Sequence, residues 1–157
     1  MKLAEALAAR ADLQRRIEQL RSRISANARF QEGEEPAEDA AALLVEAHAD
    51  LDRLGDLIAR INATNALLDL GDGRTMTDAL AARDVLKLRH ALLTDAAAAA
   101  SGSGGAFGHL RQMRSELRQF AALPVAELRG QADDIARELR ELDGRIQQAN
   151  WTNDLKE

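Results

Sequence analysis

The stretch from residue 44 to residue 68, LVEAHADLDRLGDLIARINATNALL, decides the fold class of this chain. Its apolar residues recur at alternating steps of three and four, the spacing of a heptad repeat along one face of an α-helix. They are Leu44, Ala47, Leu51, Leu54, Ile58 and Ile61. The next heptad position is Asn65, and the repeat resumes at Leu68. The spacing predicts a long helix, and the polar position indicates that one end of it serves something besides packing.

Similar stripes lie on both sides of this stretch. The first is formed by Leu3, Leu7, Leu13, Ile17, Leu20 and Ile24. A later one is formed by Leu80, Val85, Leu88 and Leu92. The last comprises Leu128, Ala132, Ile135, Leu139, Leu142, Ile146 and Ala149. Together they predict four helices, at about residues 2–28, 37–70, 76–100 and 125–149. We therefore expect an all-α, antiparallel, coiled-coil-like bundle of long helices in a single domain, residues 1–157.

Glycine and proline mark the breaks between these helices. Gly33 and Pro36 separate the first two, residues 71–74 form a tight reversal, and residues 101–105 are a glycine- and serine-rich connector. Residues 109–123 are ambiguous, because their apolar spacing is helical while the flanking glycines and Pro124 also suit a short extended or β excursion.

The composition excludes several classes of protein. The chain has no cysteine, so disulfide scaffolds, thiolate metal sites and catalytic thiols are excluded. Leucine and alanine dominate, whereas tyrosine is missing and tryptophan is single, which leaves no aromatic platform for nucleic acid. The start of the chain lacks the apolar core of a signal peptide, and no stretch is long and apolar enough for a membrane span. We therefore expect a cytoplasmic protein.

Charge is distributed unevenly along the chain. Residues 1–30 carry seven basic and three acidic side chains, whereas residues 31–60 carry two basic and nine acidic ones. One interpretation is that the first helix lies beside the second and the two faces complement each other. The alternative is a basic face for RNA or anionic lipid, which the net charge of −5 disfavours.

If the four helices alternate in direction, an unusual set of polar residues lies together at one end of the bundle. These are Asn62, Thr64, Asn65, Asp72, Arg74, Thr75, Thr77, Asp78, Arg83, Asp84, Asn150, Trp151 and Thr152. Four interpretations are open for them, of which catalysis has the weakest support and the other three are as follows. They cap helices and set the register, they form an interface between subunits, or they line a pocket for a small molecule or nucleotide.

No catalytic or metal-binding motif accompanies this polar end. His48, His90 and His109 are scattered over separate segments without a second ligand at suitable spacing. Asp69, Asp72 and Asp78 lack the alternation of a calcium loop. Walker, HExxH and nucleophile-elbow motifs are absent. We predict no cofactor, no metal and no catalytic residue.

Several segments in combination carry a family resemblance. They are MKLAEAL (1–7), QEGEEP (31–36), INATN (61–65), DGRTMTDAL (72–80), RDVL (83–86) and ANWT (149–152). The chain resembles the septicolysin-like family, small bacterial, mainly actinobacterial, helical proteins that are largely uncharacterised. The family name comes from an oxygen-labile cytolysin, and the resemblance therefore implies a membrane-active role. A thiol-activated toxin needs a thiol, however, and this chain has none.

These observations predict a structural role rather than a defined chemical reaction. Leucines outside the main stripe of the second helix, such as Leu43, Leu57 and Leu67, indicate more apolar surface than one partner helix covers. We therefore expect a structural or interaction protein that forms homo-oligomers, with the polar end organising the oligomer. The alternatives are a small-molecule or nucleotide-binding protein, or an enzyme, that uses the polar end, and a membrane-active protein of the cytolysin kind.

Overall fold

The computed structural model of the chain describes residues 1–102 and 119–156. It contains four helices: α1 (Leu3–Asn27), α2 (Ala40–Leu67), α3 (Met76–Ala100) and α4 (Val125–Thr152). Two isolated antiparallel bridges are the only extended pairing in these residues. The predicted all-α class is therefore confirmed. Most of the predicted excursion near residues 109–123 lies outside the described residues, and residues 119–123 contain no strand.

The chain divides into two compact units. The first comprises residues 1–76 and 147–157, and therefore holds α1, α2 and the end of α4. The second comprises residues 77–146, with most of α3 and α4. The single domain that the chain length predicts stays a prediction.

Local hydrogen bonds explain where α2 begins and ends. The Asp39 side chain accepts hydrogen bonds from the backbone N–H groups of Ala41 and Ala42, which makes it the N-cap. The last helical hydrogen bond runs from the Leu68 N–H to the Thr64 carbonyl. As a result α2 begins three residues later, and ends three residues earlier, than the expected range of 37–70.

In the first unit, α1 packs against a stripe of α2 that shares Ala47 and Ile61 with the expected one but has Leu43 and Asp50 in place of Leu44 and Leu51. Leu20 of α1 lies in a buried cluster with Leu43 and Ala47, and Leu3 and Ala6 lie in a second cluster with Ile61. Leu44 and Leu51 are 48% and 46% exposed, so the expectation that they form the packed stripe was wrong. The reason is that α2 carries two adjacent apolar stripes, and α1 covers the one that includes Asp50.

Asp50 is a charged residue at a position of the packed stripe. Its side chain is only 2% exposed. Its carboxylate Oδ2 lies 2.8 Å from Arg16 Nε of α1 without accepting a hydrogen bond of suitable geometry, and its Oδ1 lies 3.4 Å from Arg53 Nη1. Both arginine side chains are largely exposed. The carboxylate thus links α1 to α2 at one fixed point of their contact.

Ion pairs also join the basic start of the chain to the acidic segment that follows it. Arg16 pairs with Glu46 as well as Asp50, and Arg23 forms two hydrogen bonds with Glu38. The interpretation that the first two helices lie together with complementary charges is therefore confirmed. Asn27 supports the same connection, since its side chain donates to the Arg23 carbonyl and accepts from the Glu38 N–H.

The second unit buries one face of each of its helices. On α4, the expected stripe is confirmed, with Ala132, Leu142 and Ile146 buried. On α3 the buried residues are Ala79, Leu86 and Ala97, whereas Val85, Leu88 and Leu92 are 47%, 71% and 69% exposed. The expected stripe of α3 thus lies largely at the surface. The smaller alanines occupy the covered face, which permits closer packing than leucines would.

The Asp50→Leu variant should unfold with a free energy about 1 kcal/mol higher than that of the wild type. Leucine would continue the apolar stripe, and the exposed Arg16 and Arg53 can turn to water. Urea unfolding followed by circular dichroism measures this, with Asp52→Leu, an exposed acid of the same helix, as the matched control. A loss of stability in Asp50→Leu that exceeds the loss in Asp52→Leu would show that the carboxylate is required for stability.

The contribution of the Arg23–Glu38 pair should depend on pH. The Arg23 guanidinium lowers the pKa of the Glu38 carboxyl through its hydrogen bonds. A lowered folded pKa gives stability that is present above the ordinary value and is lost as the pH falls through the folded value. The Glu38→Gln variant should therefore be less stable than the wild type at pH 7, and this difference should be smaller at pH 3. Urea unfolding at both values tests this, with Glu35→Gln, an exposed acid of the same connection, as the control.

Candidate functional site

The expected polar residues are divided between the two units. Nine belong to the first unit: Asn62, Thr64, Asn65, Asp72, Arg74, Thr75, Asn150, Trp151 and Thr152. Four belong to the second: Thr77, Asp78, Arg83 and Asp84.

The two ends of the chain meet in the first unit. The Leu3 N–H donates to the Asn153 carbonyl at 3.0 Å, and the Leu155 N–H donates to the Met1 carbonyl at 2.9 Å. These bonds form an antiparallel bridge between Lys2 and Asp154. Leu155 follows the end of α4 and is buried with Leu3, Ala6 and Ile61. Leu155 is therefore part of the core of this unit.

Thr64 holds this C-terminal segment on α2. Its buried hydroxyl donates to the Arg60 carbonyl at 2.8 Å and accepts from the Lys156 N–H at 3.0 Å. The Arg60 Nε then donates to the Lys156 carbonyl at 2.9 Å. Both backbone groups of Lys156 are thus satisfied by α2. A hydroxyl at a core position is tolerated here because it has a partner on each side.

Lys2 completes the contact from the other end of the chain. Its Nζ lies 3.0 Å from the carbonyl of Thr152, the last residue of α4, and 3.0 Å from the Asp154 carboxylate. A cation beside a helix C-terminus is favourable, because the last carbonyls of a helix carry partial negative charge. We refer to Lys2, Arg60, Thr64, Leu155 and Lys156 as the chain-end cluster.

The turn between α2 and α3 satisfies most of its own polar groups. Asp69 accepts from the Gly71 N–H, and Asp72 accepts from both the backbone and the guanidinium of Arg74. The Arg74 Nη2 lies 2.7 Å from the Asp72 Oδ2. Gly71 and Gly73 adopt φ angles of +91° and +76°, which side chains rarely permit. Asp72 and Arg74 therefore shape the turn.

The remaining candidates differ in their environments. Asn150 is buried, Asn65 and Thr75 are half-buried, and Asn62 and Trp151 are exposed. The Thr152 hydroxyl donates to the Gln148 carbonyl within α4. In the second unit, the half-buried Arg83 lies beside Asp84 at 3.3 Å, and Thr77 and Asp78 are exposed. Their involvement in a ligand site or an interface stays a prediction.

Sequence reasoning missed four members of the chain-end cluster: Lys2, Arg60, Leu155 and Lys156. A weak signal was present, because Leu155 is an isolated apolar residue between Asp154 and Lys156, beyond the last helical stripe. Nothing in the spacing alone connects it with Thr64, which lies 91 residues earlier.

Two further classes of site were sought in residues 1–102 and 119–156. No group of histidine, aspartate and glutamate side chains there could hold a metal ion. None of the helices in these ranges combines the length and the apolar character needed to cross a bilayer.

Comparisons with known proteins give a family and a fold without an activity. Residues 10–155 match a family of unknown function, DUF6847. A crystal structure of a functionally unknown conserved protein from Corynebacterium diphtheriae is 38% identical, with 99% of each chain covered and a TM-score of 0.90. No curated protein matches the chain. The septicolysin-like resemblance, with the membrane-active role it implies, stays a prediction.

The Thr64→Val variant should lose about 1–3 kcal/mol of unfolding free energy, because the Lys156 N–H and the Arg60 carbonyl lose their side-chain partner. Valine has nearly the same shape, so the loss reports the hydroxyl. Thr64→Ser keeps the hydroxyl and is the matched control. Hydrogen exchange should become faster at the Lys156 amide in the valine variant alone. Unchanged exchange there would show that the hydroxyl does not hold the C-terminal segment.

Proposed function

The chain belongs to the family of unknown function DUF6847, and we propose that it is a structural or interaction protein that associates with further copies of itself. This proposal rests on one observation, the apolar outer face of α3. We refer to Ala81, Val85, Leu88 and Leu92 as the outer stripe of α3; all four are exposed.

The outer stripe lies on the side of α3 opposite its buried face. Leu86 is buried and Leu88 is 71% exposed, and two residues along a helix correspond to a rotation of about 200°. A helix with apolar residues on two opposite sides is typical of a helix that is covered on both. Within residues 1–102 and 119–156, the buried residues of this helix lie on the Leu86 side.

Helix α2 adds a second uncovered surface in the first unit. α1 covers its Leu43 and Ala47, and the neighbouring Leu44, Val45 and Leu51 stay at least 46% exposed. Burying a leucine side chain fully stabilises a contact by about 1.5–3 kcal/mol. Several such side chains on two helices supply a driving force that a solitary exposed leucine does not.

The polar end supports a structural role in a different way. The chain-end cluster pairs its hydroxyl, ammonium and guanidinium groups with backbone carbonyls, an N–H group and a carboxylate of the same chain. Asp72 and Arg74 pair with each other. These contacts favour capping and closure of the fold over an exchange of the same groups between subunits.

Light scattering at micromolar concentration should give a mass of at least twice the 17.1 kDa of one chain. The Leu88→Glu variant should shift this mass towards that of a single chain, since a charge in the outer stripe is costly to bury. Thr94→Glu introduces the same charge at an exposed position of α3 outside the outer stripe, and it should leave the mass unchanged. A wild-type protein of 17.1 kDa under these conditions would disprove self-association.

A further inference from the structure

The outer stripe of α3 has the pattern of a short coiled-coil seam. Its members follow one another at steps of four, three and four, from Ala81 to Leu92. Val85 and Leu92 take the a positions of a heptad, and Ala81 and Leu88 take the d positions. At the centre of the stripe, the β-branched Val85 at a is followed by Leu88 at d, a combination that favours two parallel strands. The seam ends at Asp95, the next d position, where a carboxylate replaces the apolar side chain.

Two opposite charges flank the centre of this seam. Asp84 directly precedes Val85 and therefore takes a g position, and Arg89 directly follows Leu88 and takes an e position. In a parallel, in-register pair, each g residue lies near the e residue five positions further along the partner helix. The interval from Asp84 to Arg89 is that distance. Two identical copies would therefore form this pair twice, once on each side of the seam.

Both side chains are available for such a contact. Asp84 is exposed, and its described ion pair is with its sequence neighbour Arg83 at 3.3 Å. Arg89 is exposed and forms no ion pair with residues 1–102 or 119–156. Pairing across the seam would join a carboxylate and a guanidinium that the fold of one chain leaves apart.

An antiparallel arrangement offers no equivalent charge pair. There an e residue faces an e residue and a g residue faces a g residue. If Val85 packs against Leu88 of the second copy, Arg89 faces Ala82 of that copy. If Leu88 packs against Leu92 of the second copy, Arg89 faces the Arg89 of that copy. Asp84 would face an alanine in both cases. The charges therefore favour the parallel arrangement.

We propose that α3 of one copy packs along α3 of a second copy, parallel and in register, through the outer stripe and two reciprocal Asp84–Arg89 pairs. This inference rests on the proposed self-association. It adds which surface forms the contact, in which direction the two helices run, and which charged residues pair. The occupant of the outer stripe is thus a second copy of this chain.

Reversal of the charges tests the pairing. The Asp84→Arg variant and the Arg89→Asp variant should each self-associate about tenfold more weakly than the wild type, since each places like charges opposite one another at two points. The double variant with both changes should return to within about threefold of the wild type, because both pairs are restored with reversed sign. An equimolar mixture of the two single variants should likewise associate. Sedimentation measures all four samples, and circular dichroism confirms their helix content.

Cysteine cross-linking tests the orientation of the two helices. Because the chain has no native cysteine, only the introduced residue can form a disulfide. Ala81→Cys and Leu92→Cys should each form a covalent dimer on oxidation, because a parallel register places both residues beside their own copies. In an antiparallel pair, at most one of these two residues lies beside its own copy and can cross-link. Lys87→Cys, an exposed residue outside the seam, is the control that should stay uncrosslinked.

The possible failures are distinguishable. A wild-type monomer in sedimentation overturns both the proposed function and this inference. An oligomer that is indifferent to both charge reversals, or that cross-links at only one of the two seam cysteines, leaves self-association standing and overturns the α3 pairing.

Discussion

A polar group that leaves water must find a partner inside the protein, and this requirement governs the first unit. Thr64 sits at a core position of α2, and its hydroxyl is satisfied by the Lys156 N–H and the Arg60 carbonyl. Since Lys156 must be in place for that bond, the segment after α4 is held on α2. Leu155 is thereby buried against Leu3 and Ile61, and the two chain ends are joined.

Asp50 shows the same requirement at the contact of α1 and α2. Its carboxylate is buried at a position where an apolar residue would pack equally well, and Arg16 reaches it from the opposite helix. An apolar residue there would tolerate small shifts between the helices, whereas a charge that pairs with Arg16 of the opposite helix and with Arg53 does not. The buried charge therefore favours one alignment of α1 and α2 over its neighbours, a role that polar core residues have in other helical assemblies.

The amino-acid composition of the chain explains its exposed apolar surface. Leucine and alanine recur so often that α2 and α3 each carry more than one apolar stripe, and the fold of a single chain covers only part of them. On α3 the covered stripe contains Ala79, Leu86 and Ala97, whereas Val85, Leu88 and Leu92 stay exposed. Asp84 and Arg89 border the outer stripe. Its apolar side chains and these two charges therefore both favour a parallel contact with α3 of a second copy. The proposed self-association thus follows from the helix pattern.

The sequence by itself determined the helical class, the approximate helices and the complementary charges of α1 and α2, because these depend on spacing along the chain. It also identified the buried stripe of α4, which has no competing apolar face. It misjudged which stripes of α2 and α3 are covered, since two adjacent or opposite stripes have the same periodicity. Only the tertiary structure decided that Asp50 and Thr64 are buried, that Asp72 and Arg74 serve their own turn, and that Leu155 enters the core. Those outcomes depend on partners far apart in the chain, such as Thr64 and Lys156, whose contact leaves no periodic signal.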